Sequence, residues 1–553
     1  MVSRHWPLWV ALGALWLTTA VLQYLASTKT GGHLIYTLDD GYIHMAMAKN
    51  LALHGVYGVT KYAFTSSSSS PLWTLLVAFF YVVFGVHDSI PLLLEIIVSS
   101  LIIMAAYTLL KDVVKKRIPM ILMLLGIVFF TPLPLLISTG MEHPLHILLL
   151  ILFLWFSARA VVEDSTSEKV STLVVLSSLC AALVLTRLES FALILVMVVL
   201  LVLRRRWKIA LSVTVASILP LLVYQAISVS HGWRWLPNSI LIRGDVEGGG
   251  MFNSIESIVV VPWQSQGVWH FFTVFWNNLV SAPYLAVLVG SSVLLLILSW
   301  KRSKEIWKLE HVVLIAYIVA ALAHLEFGKI GFFYRYDAYV VALGVFVLGI
   351  ATVGLFGRLK QWMAENRGRA VAGSLILLLA IQLPIPLLVR SFVSIPRMPR
   401  ASRNIYDQQY QMGLFLKQYY TGKTIAANDI GAICYLADIR LVDLVGLASA
   451  DIYQLTEAHE FTTDNVLRLC NERNVSIAIA YELWLDGSGI RDVQRQWHKV
   501  GMWKISDNIV CGSNIVTFFA VQPSEEQPLM ENLRAFSRTL PHGVGYWVKA
   551  HLP

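Results

Sequence analysis

Apolar runs of bilayer length recur through the first 390 residues, and they limit the chain to folds that satisfy backbone hydrogen bonds inside a membrane. The runs are Trp6–Ala26, Ser89–Leu110, Ile118–Ile137, Pro144–Val162, Val170–Thr186, Ser190–Leu203, Ile209–Ser228, Ser281–Trp300, Leu309–Phe327, Tyr336–Leu355 and Ala370–Val389. They predict a polytopic α-helical membrane protein with about eleven transmembrane helices. Composition agrees: 57% of the 553 residues are hydrophobic and 14% are charged. Trp6–Ala26 reads as a retained helix, because its apolar core is too long for a signal peptide and no A-x-A-like cleavage site follows.

Charge sets the orientation. The formal charge of +9 comes largely from "KDVVKKR", "RRRWK", "KRSKEIWK" and "GRLKQWMAENRGR". All fall on one side with Arg4 if the shorter apolar run Pro71–Val86 stays in the interface and does not span. Basic residues are thus topology signals, and a nucleic-acid partner is excluded. The N-terminus is expected in the cytoplasm of a multi-pass inner or plasma membrane protein. The opposite face then collects Asp39 and Asp40 in a first external loop (27–88), "STGMEHP", "TRLES", "WLPNSILIRGD" and "HLEFGKIGFFYRYD". From Arg390 onward the chain reads as a soluble domain, with "KTIAANDIGAICYLADIRLVDLVGL" as strand, helix, strand and "KVGMWKISDNIVCGSNIVTFFAVQP" as closing strands. The expected organisation is a transmembrane catalytic domain over 1–389 and an extracytoplasmic α/β domain over 390–553.

No GxGxxG or Walker pattern supports nucleotide binding. Cys180, Cys434, Cys470 and Cys511 form no metal or redox motif, although an extracytoplasmic tail would allow one disulfide among the last three. Two adjacent acids beside a membrane surface are costly to desolvate, and a helix cap needs only one. Arg187 and Glu189 in "TRLES" read either as a local ion pair or as a phosphate contact, since a guanidinium fork suits phosphate oxygens. "GKIGFFYRYDAY" supplies Lys329, Tyr334 and Arg335, "RWLPNSILIR" supplies Asn238 and Arg243, and "STGMEHP" supplies Glu142 and His143. Asp39, Asp40 and Glu142 could hold a divalent cation between carboxylate and phosphate. The serine run Ser66–Ser70 reads as a flexible connector.

"LDDGYIHMAMAKNLALHGVYG" followed by "SSSSSPLWTLLVAFFYVVFG" resembles the C-type superfamily of membrane glycosyltransferases (GT-C), nearest the branch of the mycobacterial terminal arabinofuranosyltransferases. "STGMEHPLHILLL", "LTRLESFALIL", "WLPNSILIR", "YRYDAYVV" and "NDIGAICYLADIRLVDLVGL" continue the likeness in order. It implies an inverting transferase that takes a sugar, with arabinofuranose the nearest likeness, from a polyprenyl phosphate donor to a cell-envelope glycan, lipid or protein acceptor. One member of the acidic pair, Asp39 or Asp40, would be the base; Asp39 is the first choice. The residues suit that chemistry, because a carboxylate in reach of a sugar hydroxyl takes its proton while cations meet the charge on the departing phosphate. Arg187 and Arg335, with Lys329 and Arg243 behind them, are the expected phosphate contacts; Glu142, His143, Glu189, Tyr334 and Asn238 are further expected site residues. A lipid flippase and a noncatalytic glycan-binding subunit are the competing readings. Gly41 stands where relatives often carry alanine.

Overall fold

The computed structural model describes residues 2–163, 168–233, 235, 265–353, 360–364, 366, 369, 371, 373–374 and 381–549. Asn238 and Arg243, and residues 370, 372 and 375–380 of the expected crossing Ala370–Val389, lie outside them. The helices up to residue 351 are α1 (Val2–Ser27), α2 (Asp39–His54), α3 (Pro71–Phe84), α4 (Ser89–Leu110), α5 (Arg117–Phe130), α6 (Leu133–Ile137), α7 (His143–Val162), α8 (Val170–Thr186), α9 (Phe191–Leu203), α10 (Trp207–Ser230), α11 (Ser265–Ser281), α12 (Pro283–Arg302), α13 (Leu309–Phe327) and α14 (Ala338–Ala351).

Among the described residues six helices are long and apolar enough to cross a bilayer: His5–Ser27, Ser89–Leu110, His143–Val162, Trp207–Ser230, Pro283–Lys301 and Leu309–Phe327. Five shorter apolar helices, Pro71–Phe84, Arg117–Phe130, Val170–Thr186, Leu188–Leu203 and Ala338–Ala351, accompany them. One continuous apolar core joins α1, α4, α5, α7–α9 and α12–α14. Many residues on the outer faces of these helices are large and exposed, such as Trp9, Leu101, Leu195, Leu219 and Leu294, as a lipid-facing bundle requires.

After α15 (Ile385–Ser394) and α16 (Met398–Ile405) a five-residue π-helical turn, Tyr406–Tyr410, leads into α17 (Gln411–Tyr419). The sheet that follows has β1 (Thr424–Ala427), β2 (Arg440–Asp443), β3 (Val475–Ala480), β4 (His498–Lys504), β5 (Ile515–Ala520) and β6 (Gly545–Val548), in the order β2-β1-β3-β5-β4-β6. β1 pairs in parallel with β2 and β3, and the remaining pairs are antiparallel. This is the mixed α/β arrangement expected of strand-helix-strand segments followed by closing strands. β3 is buried along all six residues, as a central strand covered on both faces must be.

α2 belongs to both halves. Its Tyr42, Ile43, Met45, Ala46 and Met47 share a core with Ile433, Phe415, Ile479 and Trp503 of the sheet region, while Ala48 packs against Trp73 and Tyr81 of α3. Packed on both sides, this helix buries polar His44 and Asn50 along with its apolar residues. One expectation is corrected here and one open possibility is decided. Ser66, Ser67, Ser68 and Ser70 are buried and hydrogen-bonded, so the serine run is a packed segment and not a flexible connector. Cys434, Cys470 and Cys511 are separate buried thiols with no disulfide among them.

Candidate active site

The loops between helices that emerge at one end of the bundle meet beneath the sheet domain. α2 begins with Asp39 and Asp40, and the two carboxylates diverge. Asp39 Oδ2 accepts the Gly431 N–H at 2.7 Å and Oδ1 accepts the Ala432 N–H at 2.8 Å, both from the first turn of α18 (Gly431–Leu436). Asp40 Oδ2 accepts from Arg335 Nη2 at 2.6 Å. Adjacent residues on a helix point about 100° apart, so one pair serves two partners.

Close backbone approach explains Gly41. A Cβ there would lie 2.3 Å from the Thr139 carbonyl oxygen, so only glycine lets the first turn of α2 press on the 138–140 loop. An alanine at this position does not fit this packing without a backbone shift.

Arg335 is the hub. Its guanidinium is 1% exposed, stacks over the rings of Phe332 at 4.7 Å and Tyr336 at 4.9 Å, and donates to Met141 Sδ at 2.8 Å and Tyr336 Oη at 3.2 Å. The turn that presents it is strained: Phe332, Phe333 and Tyr334 take φ of 35°, 59° and 64° after Gly331 at 80°. Left-handed backbone costs each L-residue about 1–2 kcal/mol and collects at functional sites. The same Tyr336 ring lies 5.8 Å from the Arg187 guanidinium, so Arg187 and Arg335 flank one aromatic side chain.

Arg187 is engaged by acids. Nη1 donates to Glu142 Oε1 at 2.6 Å, and Nε and Nη2 donate to Glu189 at 3.2 and 2.5 Å. Glu142 is fully buried and also faces His44 Nε2 at 3.4 Å and Ser69 Oγ at 3.4 Å. His44 Nδ1 lies 2.9 Å from Thr74 Oγ1, and burial lowers the pKa of the ring. The ion-pair reading of "TRLES" is the arrangement found, enlarged by Glu142 from a different loop. His143 is buried with its ring 6.5 Å from that of Tyr336. Tyr334 turns the other way: its carbonyl accepts from Arg390 Nη2 at 2.9 Å and its ring lies under Arg390. Arg390 in turn pairs with buried Asp337 at 2.8 Å, which ties α15 to the start of α14. Lys329 lies half-buried in the segment between α13 and this turn.

Asp39, Asp40 and Glu142, which the sequence allowed as holders of a divalent ion, are engaged by protein groups. Asp39 is taken by two N–H groups, Asp40 by Arg335 and Glu142 by Arg187, and among the described residues no three His, Cys, Asp or Glu side chains are grouped as metal ligands.

The sequence offered Tyr336 beside Arg335, His44 as a lone polar histidine, and Asn428, Asp429 and Asp443 as turn residues that could pack down on the membrane site, whereas Met141 and Ser69 carried no signal of their own. Tyr336, His44, Met141 and Ser69 complete the arginine cluster; for Tyr336 the adjacent "YRYD" was the available signal. Asp429 sits on the loop between β1 and α18, and its Oδ2 accepts from the Tyr481 hydroxyl and from Gln409 Nε2 at 2.8 Å. Asp443 has a local role, closing its own turn by accepting from Val445 and Ala448 N–H at 3.0 and 2.7 Å. Asp39 lies deep in this crevice. Burial, with the charge of Asp429 next, raises its pKa to about 8 against the pull of the two N–H donors.

Residues 403–519 match the model of a domain of unknown function, DUF8728. No curated protein matches the chain. Among solved structures it is similar to the Archaeoglobus fulgidus oligosaccharyltransferase in the apo form, with a TM-score of 0.54 at 11% identity over 92% of this chain and 74% of that one. The likeness extends to the archaeal oligosaccharyltransferase AglB of Archaeoglobus fulgidus in complex with an inhibitory peptide and a dolichol-phosphate, with a TM-score of 0.53, 11% identity, and 95% and 75% of the two chains covered. ArnT from Cupriavidus metallidurans bound to undecaprenyl phosphate aligns at a TM-score of 0.46 and 13% identity over 93% of this chain and 98% of that one. At these identities the likeness shows the fold alone: the chain shares the overall architecture of the archaeal oligosaccharyltransferase.

Proposed function

We propose that the chain is an inverting glycosyltransferase that moves a sugar from a polyprenyl phosphate donor to a glycan, lipid or protein acceptor at the outer face of the cell membrane. Residues 1–389 form the membrane catalytic part and residues 390–553 an outer domain that helps hold the acceptor. Arabinofuranose is the sugar that the sequence resemblance favours. The observation that carries the reading is the divergence of Asp39 and Asp40, one toward the sheet domain and one toward the arginine cluster.

Inversion needs the base and the leaving group on opposite sides of the anomeric carbon. Asp39, on the sheet-domain side, takes the proton as the acceptor O–H bond breaks and the new O–C1 bond forms. The bond from C1 to the phosphate oxygen breaks in the same step, and its electron pair leaves on the phosphate. Arg335, aimed by Asp40, meets that charge. Arg187 is held by Glu142 and Glu189, so its proposed contribution passes through Tyr336 and the shape of the pocket rather than through a free guanidinium.

The test is turnover of a synthetic polyprenyl phosphate sugar by the purified full chain. Release of polyprenyl phosphate that is lost in Asp39→Asn supports the reading. Binding without release, across donors of several sugars, overturns it.

A further inference from the structure

A second cluster of charge lies away from the Asp39 crevice, at the end of the α1 span that carries the sheet domain. α1 ends at Ser27, and Lys29 follows in the next turn. α16 packs beside α1 and brings Arg400 and Arg403. Asp407 follows on the π-helical turn, ahead of Gln408 and Gln409, whose amides bond to Ser513 and Asp429 inside the sheet domain, while Asp507 comes from the loop between β4 and β5. Lys29, Arg400, Arg403, Asp407 and Asp507 line a cavity of about 130 Å³, which admits a polar group larger than one water.

The ion pairs in this cavity are incomplete. Arg400 Nε and Nη2 both donate to Asp507 at 2.8 Å, and Arg403 donates from Nε to Asp407 Oδ2 at 3.1 Å and from Nη2 to the His542 carbonyl at 3.2 Å. Among the described residues, Nη1 of each guanidinium and the exposed Lys29 ammonium have no partner. Asp407 is 3% exposed, and its Oδ1 accepts from no group among the described residues. A buried acceptor left open costs free energy unless something outside the chain meets it. Three cations against two carboxylates leave one positive charge in excess.

The setting is the bilayer surface. The last two turns of α1 expose Val21, Tyr24 and Leu25, and α15, which leads into α16, exposes Val389, Phe392 and Val393. The cavity lies where these two lipid-facing helices leave the membrane. We infer that it holds the headgroup of one phospholipid of the phosphatidylglycerol type. The single negative charge of the phosphodiester matches the single excess positive charge, and Lys29, Arg400 and Arg403 supply N–H donors to its oxygens. An uncharged hydroxyl of the head donates to Asp407 Oδ1, a contact that a trimethylammonium head cannot make. The bound lipid touches α1, α16 and the β4–β5 loop at once, and so clamps the sheet domain on the membrane bundle. The site does not depend on the transferase reading.

The test uses the purified, delipidated full chain in a nonionic detergent with dihexanoyl phosphatidylglycerol, dihexanoyl phosphatidylcholine or glycerol phosphate, read by native mass spectrometry and by the unfolding midpoint. Phosphatidylglycerol is expected to give a one-lipid adduct and to raise the midpoint, with phosphatidylcholine at least ~5-fold weaker for want of one hydrogen bond. Lys29→Gln, a change at an exposed position, should leave the lipid-free midpoint at the wild-type value and weaken phosphatidylglycerol about fivefold, the share of one cation at a bilayer surface, while Lys29→Arg restores it. Equal binding of the two lipids, or an affinity unmoved by Lys29→Gln, overturns the site. A midpoint raised as much by glycerol phosphate alone makes a free phosphate ester the ligand and overturns the lipid assignment.

Discussion

Gly431→Ala puts a methyl group where there is no room for one. Its Cβ would sit 2.1 Å from the Asp39 carbonyl oxygen and 2.8 Å from Asp39 Oδ2. Carbon–oxygen contacts relax at about 3.3 Å, so α18 and the start of α2 must separate by about 1 Å. The hydrogen bonds from Gly431 and Ala432, now 2.7 and 2.8 Å, would then reach or pass the limit of a useful bond. Hydrogen bonds to a charged group are worth about 1.5–3 kcal/mol each, so losing both costs at least ~3 kcal/mol of the energy that fixes Asp39. If all of that appears in the barrier, kcat/KM falls by about two orders of magnitude. The assay is the initial rate of polyprenyl phosphate release, run beside Gly487→Ala, where a Cβ meets nothing within 4 Å. Gly487→Ala is expected to match wild type within about twofold, since surface changes cost little. A Gly431→Ala enzyme with wild-type kcat/KM would refute the idea that the sheet domain holds the base in place.

Other expectations follow from the same geometry. Arg335→Lys keeps the charge but loses the fork and the stacking on Phe332 and Tyr336, so turnover should fall at least ~10-fold; an unchanged rate would remove Arg335 from phosphate binding. Glu142→Gln leaves the buried Arg187 guanidinium with Glu189 alone and should destabilise the protein by ~3 kcal/mol, read as a lowered unfolding midpoint; an unaltered midpoint would show that the pair is not structural. The pH–rate profile should have an acid limb well above the ordinary carboxylate range, because Asp39 must be ionised to act and burial beside Asp429 raises its pKa. The stability linkage has a definite sign. With its pKa raised in the fold, Asp39 favours the folded state fully below the unfolded carboxylate value, and that contribution is lost as pH rises through about 8. Asp39→Asn should flatten the stability dependence, and a stability profile unchanged in shape would contradict the assignment.

The membrane bundle was legible because spans are written locally, as apolar length punctuated by charge. The mixed sheet was legible for the same reason, from strand-length apolar segments broken by "NDIG" and "VDLVG". The acidic pair stood out by position, yet its partners did not: Gly431 lies 392 residues from Asp39 and Arg335 lies 295 residues from Asp40, and no periodicity reports such contacts. Ser66–Ser70 looked like a linker by composition, but its hydroxyls find His44, Thr74 and the Leu447 carbonyl, so the polar run is consumed inside the protein. Arg187 looked available because its nearest acid in sequence, Glu189, explained only one edge of the guanidinium; Glu142 closes the other from 45 residues away. The π-helical turn behind Gln408 and Gln409 left no sequence mark that helix periodicity would detect.

The most direct measurement is single-turnover release of polyprenyl phosphate from a donor carrying its sugar, by purified wild type, Asp39→Asn and Asp40→Asn in parallel. The account predicts release by wild type, near-complete loss of the chemical step in Asp39→Asn with the donor still bound, and weakened donor binding in Asp40→Asn. Undiminished release by Asp39→Asn would contradict it.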